Sequence, residues 1–355
     1  MPYGQAPSAR APSPATICAV LVLLAGCGGG SPASPTTGAT GLDAAYSAAR
    51  QEQYLTSLVV SQGGAIVRQE YFNGTDPGTT QNVWSVTKSV LSLTVGLALD
   101  RGCLHSLDQR LGELLDPAVT GDPQKAAITL RHLLTMSSGL DFPEMATYTT
   151  SPSIYTQWIN APDQVAWVMA RPLTAAPGQR FEYGSGTIHL ASVALTRACG
   201  TSTSAFAAST LFTPLGIPVR VWEADRQGYN NGGAGLELAP RDMLTIGEMV
   251  LNGGRHQGQP VVPGAWIDEM TRTQITTGAG QPTPGYGYAW WTGQAAGQAF
   301  VLANGWGGQF IMVVPARRLV VTSAARTSGL AAAAAMAQWQ RIFDIITQRV
   351  VPAMP

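Results

Sequence analysis

Residues 83–104 read VWSVTKSVLSLTVGLALDRGCL. Apolar residues recur at three- and four-residue spacing from Ser85 to Asp100, and Gly102 stands just beyond. The pattern predicts a helix that begins at Ser85. Ser85 and Lys88 are then one turn apart on a shared face. A helix start brings free backbone N–H groups and a partial positive charge. That charge disfavours an ammonium, and a lysine desolvated beside it could fall well below its usual pKa of about 10.4. Such an amine can take the proton of a serine. Composition sharpens the point. Only Lys88 and Lys125 are lysines, and the other 19 basic residues are arginines. A lysine kept in an arginine-biased chain invites a role that needs a removable proton.

The wider composition excludes other classes. In 355 residues, Lys plus Arg and Asp plus Glu are 21 each, charged residues make up 12% and hydrophobic ones 45%. A disordered chain needs low hydrophobicity and high net charge, and a nucleic-acid binder needs an excess of Lys and Arg. The length suits two domains or one large one. Gly (40) and Pro (24) point to a loop-rich globular protein.

Outward from the quoted helix, the mature chain opens with a short polar helix over residues 43–53. Leu58-Val59-Val60 and Ala65-Ile66-Val67 then bracket a Ser61-Gln62-Gly63-Gly64 turn, and Asn73-Gly74 makes another. After the long helix, Leu107–Leu115 reads as its continuation. Thr129 is the expected N-cap of TLRHLLTM, which Gly139 ends. Helical patches follow at Ala166–Met169, Ile188–Arg197 and Pro240–Leu251. Beyond Val261 short apolar runs predict strands: Tyr286–Trp291, Phe300–Leu302, Phe310–Val314 and Leu319–Thr322. A closing helix spans Ala331–Val350. The order predicts an α+β fold: an antiparallel sheet flanked by terminal helices and built from both chain ends (42–82 plus 262–355), with a mostly helical lobe (83–261) inserted. A cleft between lobes is a natural site.

Ala15–Leu24, ATICAVLVLL, is too short to span a bilayer and matches the apolar region of a signal peptide over residues 1–26. It ends in Leu24-Ala25-Gly26-Cys27, which resembles a bacterial lipobox with Cys27 as the lipidated residue. GGGSPASPTTGATG, completing residues 27–41, reads as a flexible tether. The expectation is an exported lipoprotein of a bacterial envelope, facing the periplasm and held to a membrane through Cys27. Of the four cysteines, only Cys103 and Cys199 remain for the mature domain. They could pair in an oxidising envelope or be two unrelated buried residues.

Two more stretches bear on chemistry. In PGQRFEYGSGTIHL a loop-borne Tyr183 precedes Gly184-Ser185 and could present its phenol to the cleft. In Asn304-Gly305-Trp306-Gly307-Gly308-Gln309-Phe310, glycines allow a ligand close to the backbone. Ser-x-x-Lys, then Tyr-x-Asn, then Lys-Thr-Gly is the signature of serine β-lactamases and penicillin-binding proteins. The chain resembles that family over residues 54–322, in its class C β-lactamase-related esterase branch. The stretches ITLRHLLTMSSGLDF, PGQRFEYGSGTIHLAS, GGAGLELAPRDM and GWGGQFIMVVP carry the likeness beside the quoted helix.

The resemblance implies one catalytic domain and residue roles. Ser85 is the nucleophile, Lys88 its partner and Tyr183 the acid or base that relays the proton. Whether Lys88 or Tyr183 accepts the serine proton stays open. The oxyanion hole is expected from the backbone N–H groups of Ser85 and Gln309. Ser185, Trp306, Gly307 and Gly308 are expected to contact substrate. Two departures follow. Tyr-x-Asn reads Tyr183-Gly184-Ser185, which removes an amide yet leaves a hydroxyl for Lys88; Tyr-x-Ser occurs in relatives resembling 6-aminohexanoate-dimer hydrolase. Lys-Thr-Gly reads Trp306-Gly307-Gly308, which removes the cation for a substrate carboxylate, a contact worth about 1.5–3 kcal/mol.

The expected activity is therefore a serine hydrolase acting through an acyl-enzyme on a small-molecule ester or amide. A β-lactamase or D,D-carboxypeptidase, and a non-catalytic binding lipoprotein, are the alternatives. No cofactor or metal is expected. There is no Gly-x-Ser-x-Gly, no His-Glu-x-x-His and no phosphate loop. The four histidines, His105, His132, His189 and His256, are scattered, and His132 and His189 read as satisfied core residues.

Overall fold

In the computed structural model, which describes residues 41–355, eight strands from both ends of the chain form one antiparallel sheet. They are β1 (Leu55–Gln62), β2 (Ala65–Tyr71), β3 (Ile275–Thr276), β4 (Gly285–Tyr286), β5 (Trp291–Ala295), β6 (Gln298–Gly305), β7 (Gln309–Val314) and β8 (Leu319–Ala325). Their order is β2-β1-β8-β7-β6-β5-β4-β3. The amino-terminal hairpin joins the rest where β1 pairs with β8, Val60 opposite Val321. The expected signal peptide, lipid site and tether lie outside the described residues, Gly41 apart.

Residues alternate across the sheet, so neighbours on one strand serve opposite layers. On β7, Phe310 meets Trp339 and Phe343 at ring separations of 5.6 and 5.9 Å. Both belong to the carboxy-terminal helix α5 (Ala332–Ile345), which shares that face with the first helix α1 (Asp43–Ala49). Ile311 points the other way, toward Gly247 of α4 (Pro240–Leu251), which packs on β7 and β8. β7 and β8 are buried on both faces, and each carries a continuous apolar run, Phe310–Val314 and Leu319–Val321.

Two 15-residue helices form the centre of the inserted part: α2 (Val86–Asp100) and α3 (Ser185–Cys199). Every residue of α2 from Val86 to Ala98 is buried, Lys88 among them. A helix apolar all round belongs in a core, and a buried ammonium there must find partners. Cys103, just beyond α2, is disulfide-bonded to Cys199, the last residue of α3. The bond closes a loop with a sequence separation of 96 residues, for which the chain-entropy account gives about 4–5 kcal/mol. Replacing both cysteines with serine should therefore lower unfolding stability by about 2–5 kcal/mol. A denaturant midpoint equal to wild type would show that the cross-link contributes nothing.

Some elements differ from expectation. Leu107–Leu115 does not continue α2, because the chain turns at Gly102 (φ +76°) and only Leu111–Leu114 is helical. Tyr286–Trp291 is not one strand. Ala289 sits at φ +59° and the Gly287 N–H donates to the Trp290 carbonyl, so the run folds into a turn between β4 and β5. That turn is tied down by Ser89 of α2, whose hydroxyl donates to the Ala289 carbonyl at 2.6 Å. The helix Gly264–Thr271, in a region expected to hold strands, buries Trp266, Ile267 and Met270. The closing helix is regular to Ile345 and then widens into a π-helical turn over Ile346–Val350. Among the described residues, no helix is long and apolar enough to cross a membrane.

Candidate active site

Ser85 stands at the N-cap of α2, half-buried, yet its hydroxyl makes no capping bond. A serine there usually accepts from the first-turn N–H groups. Here Lys88 Nζ donates to Ser85 Oγ at 2.7 Å instead. The residue before it, Trp84, lies at φ +50°, a left-handed conformation costly for a bulky side chain. Asn82 holds the kink: its Oδ1 accepts the Trp84 N–H at 2.8 Å. The Trp84 indole donates to Thr327 Oγ1 at 3.0 Å. The strained residue turns the chain so that Ser85 enters the cavity as the helix begins.

Lys88 is 1% exposed and fully partnered. Besides Ser85 it donates to Ser185 Oγ at 2.8 Å and to the Gly233 carbonyl at 2.7 Å. Burial pulls its pKa down to about 8, while the carboxylate of Glu144 acts in the opposite direction. The Gly233 contact depends on a close approach: a Cβ at Gly233 would lie 2.6 Å from that of Ser185. His189 supports the same loop. Its Nδ1 accepts the Gly232 N–H at 3.2 Å, and Nε2 faces Asp225 at 3.1 Å. This is the satisfied core role expected of it. His132 likewise serves structure, completing a capping box with Thr129.

Tyr183 precedes α3, buried, with Lys88 Nζ 4.8 Å from its ring centre. It stacks on Trp291 at 5.5 Å. Burial and the Glu144 charge hold its phenol well above the ordinary tyrosine pKa, with the Ser85 hydroxyl acting the other way. Tyr183 therefore stays a neutral phenol at physiological pH. Glu144 was not legible in the sequence. It is 4% exposed; its Oε2 accepts the Ser185 N–H at 2.5 Å and its Oε1 the Ser185 hydroxyl at 2.9 Å. Burial raises its pKa, opposed by Lys88 and by the two Ser185 bonds.

These groups open on a cavity of about 660 Å³. Ser85, Glu144, Tyr183 and Ser185 line it, with Trp84, Tyr148, Tyr155, Trp291, Trp306 and Trp339 among the aromatic walls. Among the described residues, no Lys, Arg or His is in the lining. The stretch after β6 divides. Asn304, Gly305 and Trp306 face the cavity, whereas Gly307, Gly308 and Gln309 do not. The Gly307 carbonyl accepts from Gln338, the Gly308 carbonyl from Ser323, and the buried Gln309 amide bonds Gln81 and Ala325. Gln309 pairs with Gly305 inside the sheet. Gly307, Gly308 and Gln309, expected at the site, are thus not among the residues that line the cavity. The reason is the tight hairpin, which carries the chain off the cavity wall directly after Trp306. Ser85 and Trp306 both line the cavity, and their backbone N–H groups are engaged by no other group among the described residues. Gly305 permits this approach, since a Cβ there would lie 2.3 Å from the Val83 carbonyl. Among the described residues no group of three or more His, Cys, Asp or Glu side chains could hold a metal ion.

A model of the Beta-lactamase family matches residues 48–343. A search of curated proteins returns no match. Solved structures share the fold. A Bacillus anthracis protein provisionally named 6-aminohexanoate-dimer hydrolase superposes with a TM-score of 0.71 at 17% identity, over 86% of this chain and 81% of that one. EstCE1, described as a hydrolase with promiscuous acyltransferase activity, gives 0.66 at 17% over 86% and 98%. A D-stereospecific amidohydrolase from Streptomyces gives 0.63 at 16% over 87% and 97%.

Proposed function

The chain belongs to the Beta-lactamase family of hydrolases, and on that premise we propose that it is a serine hydrolase that acts through an acyl-enzyme on esters or small amides with an uncharged, apolar acyl group. The observation that carries this reading is the 2.7 Å contact between Lys88 Nζ and Ser85 Oγ at the edge of an aromatic cavity. Lys88 with a pKa near 8 can act as base at mildly alkaline pH. The Ser85 oxygen attacks the acyl carbon and Lys88 takes its proton; the phenol of Tyr183 then gives its own proton to the leaving oxygen or nitrogen and is reprotonated from Lys88, so that both groups return to their starting states. Water then repeats the sequence on the acyl-enzyme. The unengaged N–H groups of Ser85 and Trp306 supply the oxyanion hole, in place of the Gln309 N–H.

The cavity supports the acyl preference. With no cationic side chain in its lining, a substrate carboxylate would lose its solvation and gain no partner. An aryl ester of an apolar acid should exceed its carboxylate-bearing analogue in kcat/KM by roughly 10- to 150-fold, from the lost charge-assisted contact. Intact mass after incubation with esters, amides and a cephalosporin tests this, since the mass added at Ser85 reports the acyl group accepted. Faster turnover of the cephalosporin than of the esters would replace the reading with a β-lactamase. No adduct with any of them would favour a binding protein. Export as a Cys27-anchored lipoprotein is part of the same proposal, and the Cys103–Cys199 disulfide supports an oxidising compartment.

A further inference from the structure

We propose that Glu144 is a positioning residue: by holding the proton of the Ser185 hydroxyl, it leaves Ser85 as the sole proton source that the free amine of Lys88 can reach. The inference rests on the reading of Lys88 as base and follows from counting donors. Lys88 Nζ has three neighbours, Ser85 Oγ, Ser185 Oγ and the Gly233 carbonyl. As an ammonium it donates to all three. As a free amine it has two hydrogens and one lone pair, and the lone pair must face a hydrogen. The Gly233 carbonyl has none. Ser185 has one, but it is directed to Glu144 Oε1 at 2.9 Å. Glu144 is itself fixed, because its Oε2 accepts the Ser185 N–H at the start of α3, where a carboxylate is favoured by the helix dipole. The two amine hydrogens therefore go to Ser185 and Gly233, and the lone pair is aimed at the Ser85 hydroxyl. Transfer of that proton to Nζ turns the hydroxyl into the attacking oxygen with its electron pair, and Lys88 regains its third donor.

Glutamine at position 144 is nearly isosteric and reverses this wiring. Its carbonyl can keep the Ser185 N–H, but its NH2 donates to Ser185 Oγ. The Ser185 hydrogen then turns toward Lys88 and competes for the lone pair. The negative charge that favours the ammonium is also gone. The other titratable groups facing the pair are Tyr148, Tyr155, Tyr183 and Tyr286, and Glu223 acts on Tyr155. None of these supplies a replacement anion at Ser185.

The test is the rate of Ser85 labelling by an uncharged fluorophosphonate across pH, on the full chain. Wild type should rise to a plateau through a limb set by Lys88. Glu144→Gln should lower the plateau about 10- to 100-fold and move the limb about one pH unit toward acid, with thermal melting near wild type. A lower plateau with an unmoved limb would mean a merely structural role, and an unchanged plateau would overturn the wiring. Should the Gln variant fail to fold, Ser185→Ala removes the competing hydrogen while keeping both charges; the lone pair then still faces only Ser85, so any fall in the plateau should stay below about tenfold, and a larger fall overturns the wiring. Failure of the base reading looks different: wild type would label Ser85 with no such limb.

Discussion

Replacing Ser85 with alanine should abolish turnover and fluorophosphonate labelling together, with kcat falling by at least about 10⁴-fold while the protein stays folded. The size follows from the site. Of the two cavity-lining hydroxyls on Lys88, Ser85 is the one free to attack, since Ser185 is 1% exposed and gives its hydrogen to Glu144. Water could still enter the cavity of the variant, but it would lack the covalent intermediate that splits the reaction in two. Stability should fall by no more than about 1–3 kcal/mol, because the Ser85 hydroxyl caps nothing and only the bond it accepts from Lys88 is lost. The fold check is therefore a melting curve within a few degrees of wild type. Retained activity in a folded variant would remove Ser85 from the mechanism and the acyl-enzyme with it.

The reactive pair was legible because its information is local. A helix start and an i, i+3 spacing fix where Ser85 and Lys88 stand, and Lys88 donates to Ser85 at the helix mouth. Ser185 was legible by its place in a motif and indeed reaches Lys88. Tyr183 lies within the same cluster. Glu144 was not legible. It follows α2 by some 44 residues, sits in a loop without periodicity, and owes its role to the distant start of α3. One available signal was unused: an acid in the weakly charged, apolar stretch MSSGLDFPEM. Of the third motif, Trp306-Gly307-Gly308, the structure puts Trp306 on the cavity wall and the two glycines beyond it. Those glycines serve the hairpin, where φ is +75° and +106°. The tripeptide on the wall is Asn304-Gly305-Trp306. Neither tripeptide contains a cation. For the sheet, strand identity came from apolar runs, but Tyr286–Trp291 misled because its aromatic residues are buried in a turn as thoroughly as in a strand.

Lys88→Arg should cost nearly as much as loss of the serine, although it conserves the charge. The wild-type amine has its pKa lowered to about 8 by burial. Below that pH it is an ammonium with no lone pair; above it the free amine accumulates. If Lys88 is the base, kcat/KM rises tenfold per pH unit on the acid side and levels off above about 8. A guanidinium has no accessible free-base form, so the arginine variant should lie about 10²- to 10⁴-fold below wild type on that plateau. It should also show no limb near pH 8, which separates lost proton transfer from disturbed packing. The longer, planar side chain must fit a site built for an ammonium with three close acceptors, and overpacking of this kind costs about 1–3 kcal/mol. Lys88→Met, similar in length and without charge, is the companion variant: it too should be inactive, whether or not arginine fits. If the folded arginine enzyme works at near-wild-type rate, the positive charge at Lys88 is what matters. Another group would then have to take the proton, and Tyr183, held neutral by its burial, would need an ionised form that its surroundings oppose.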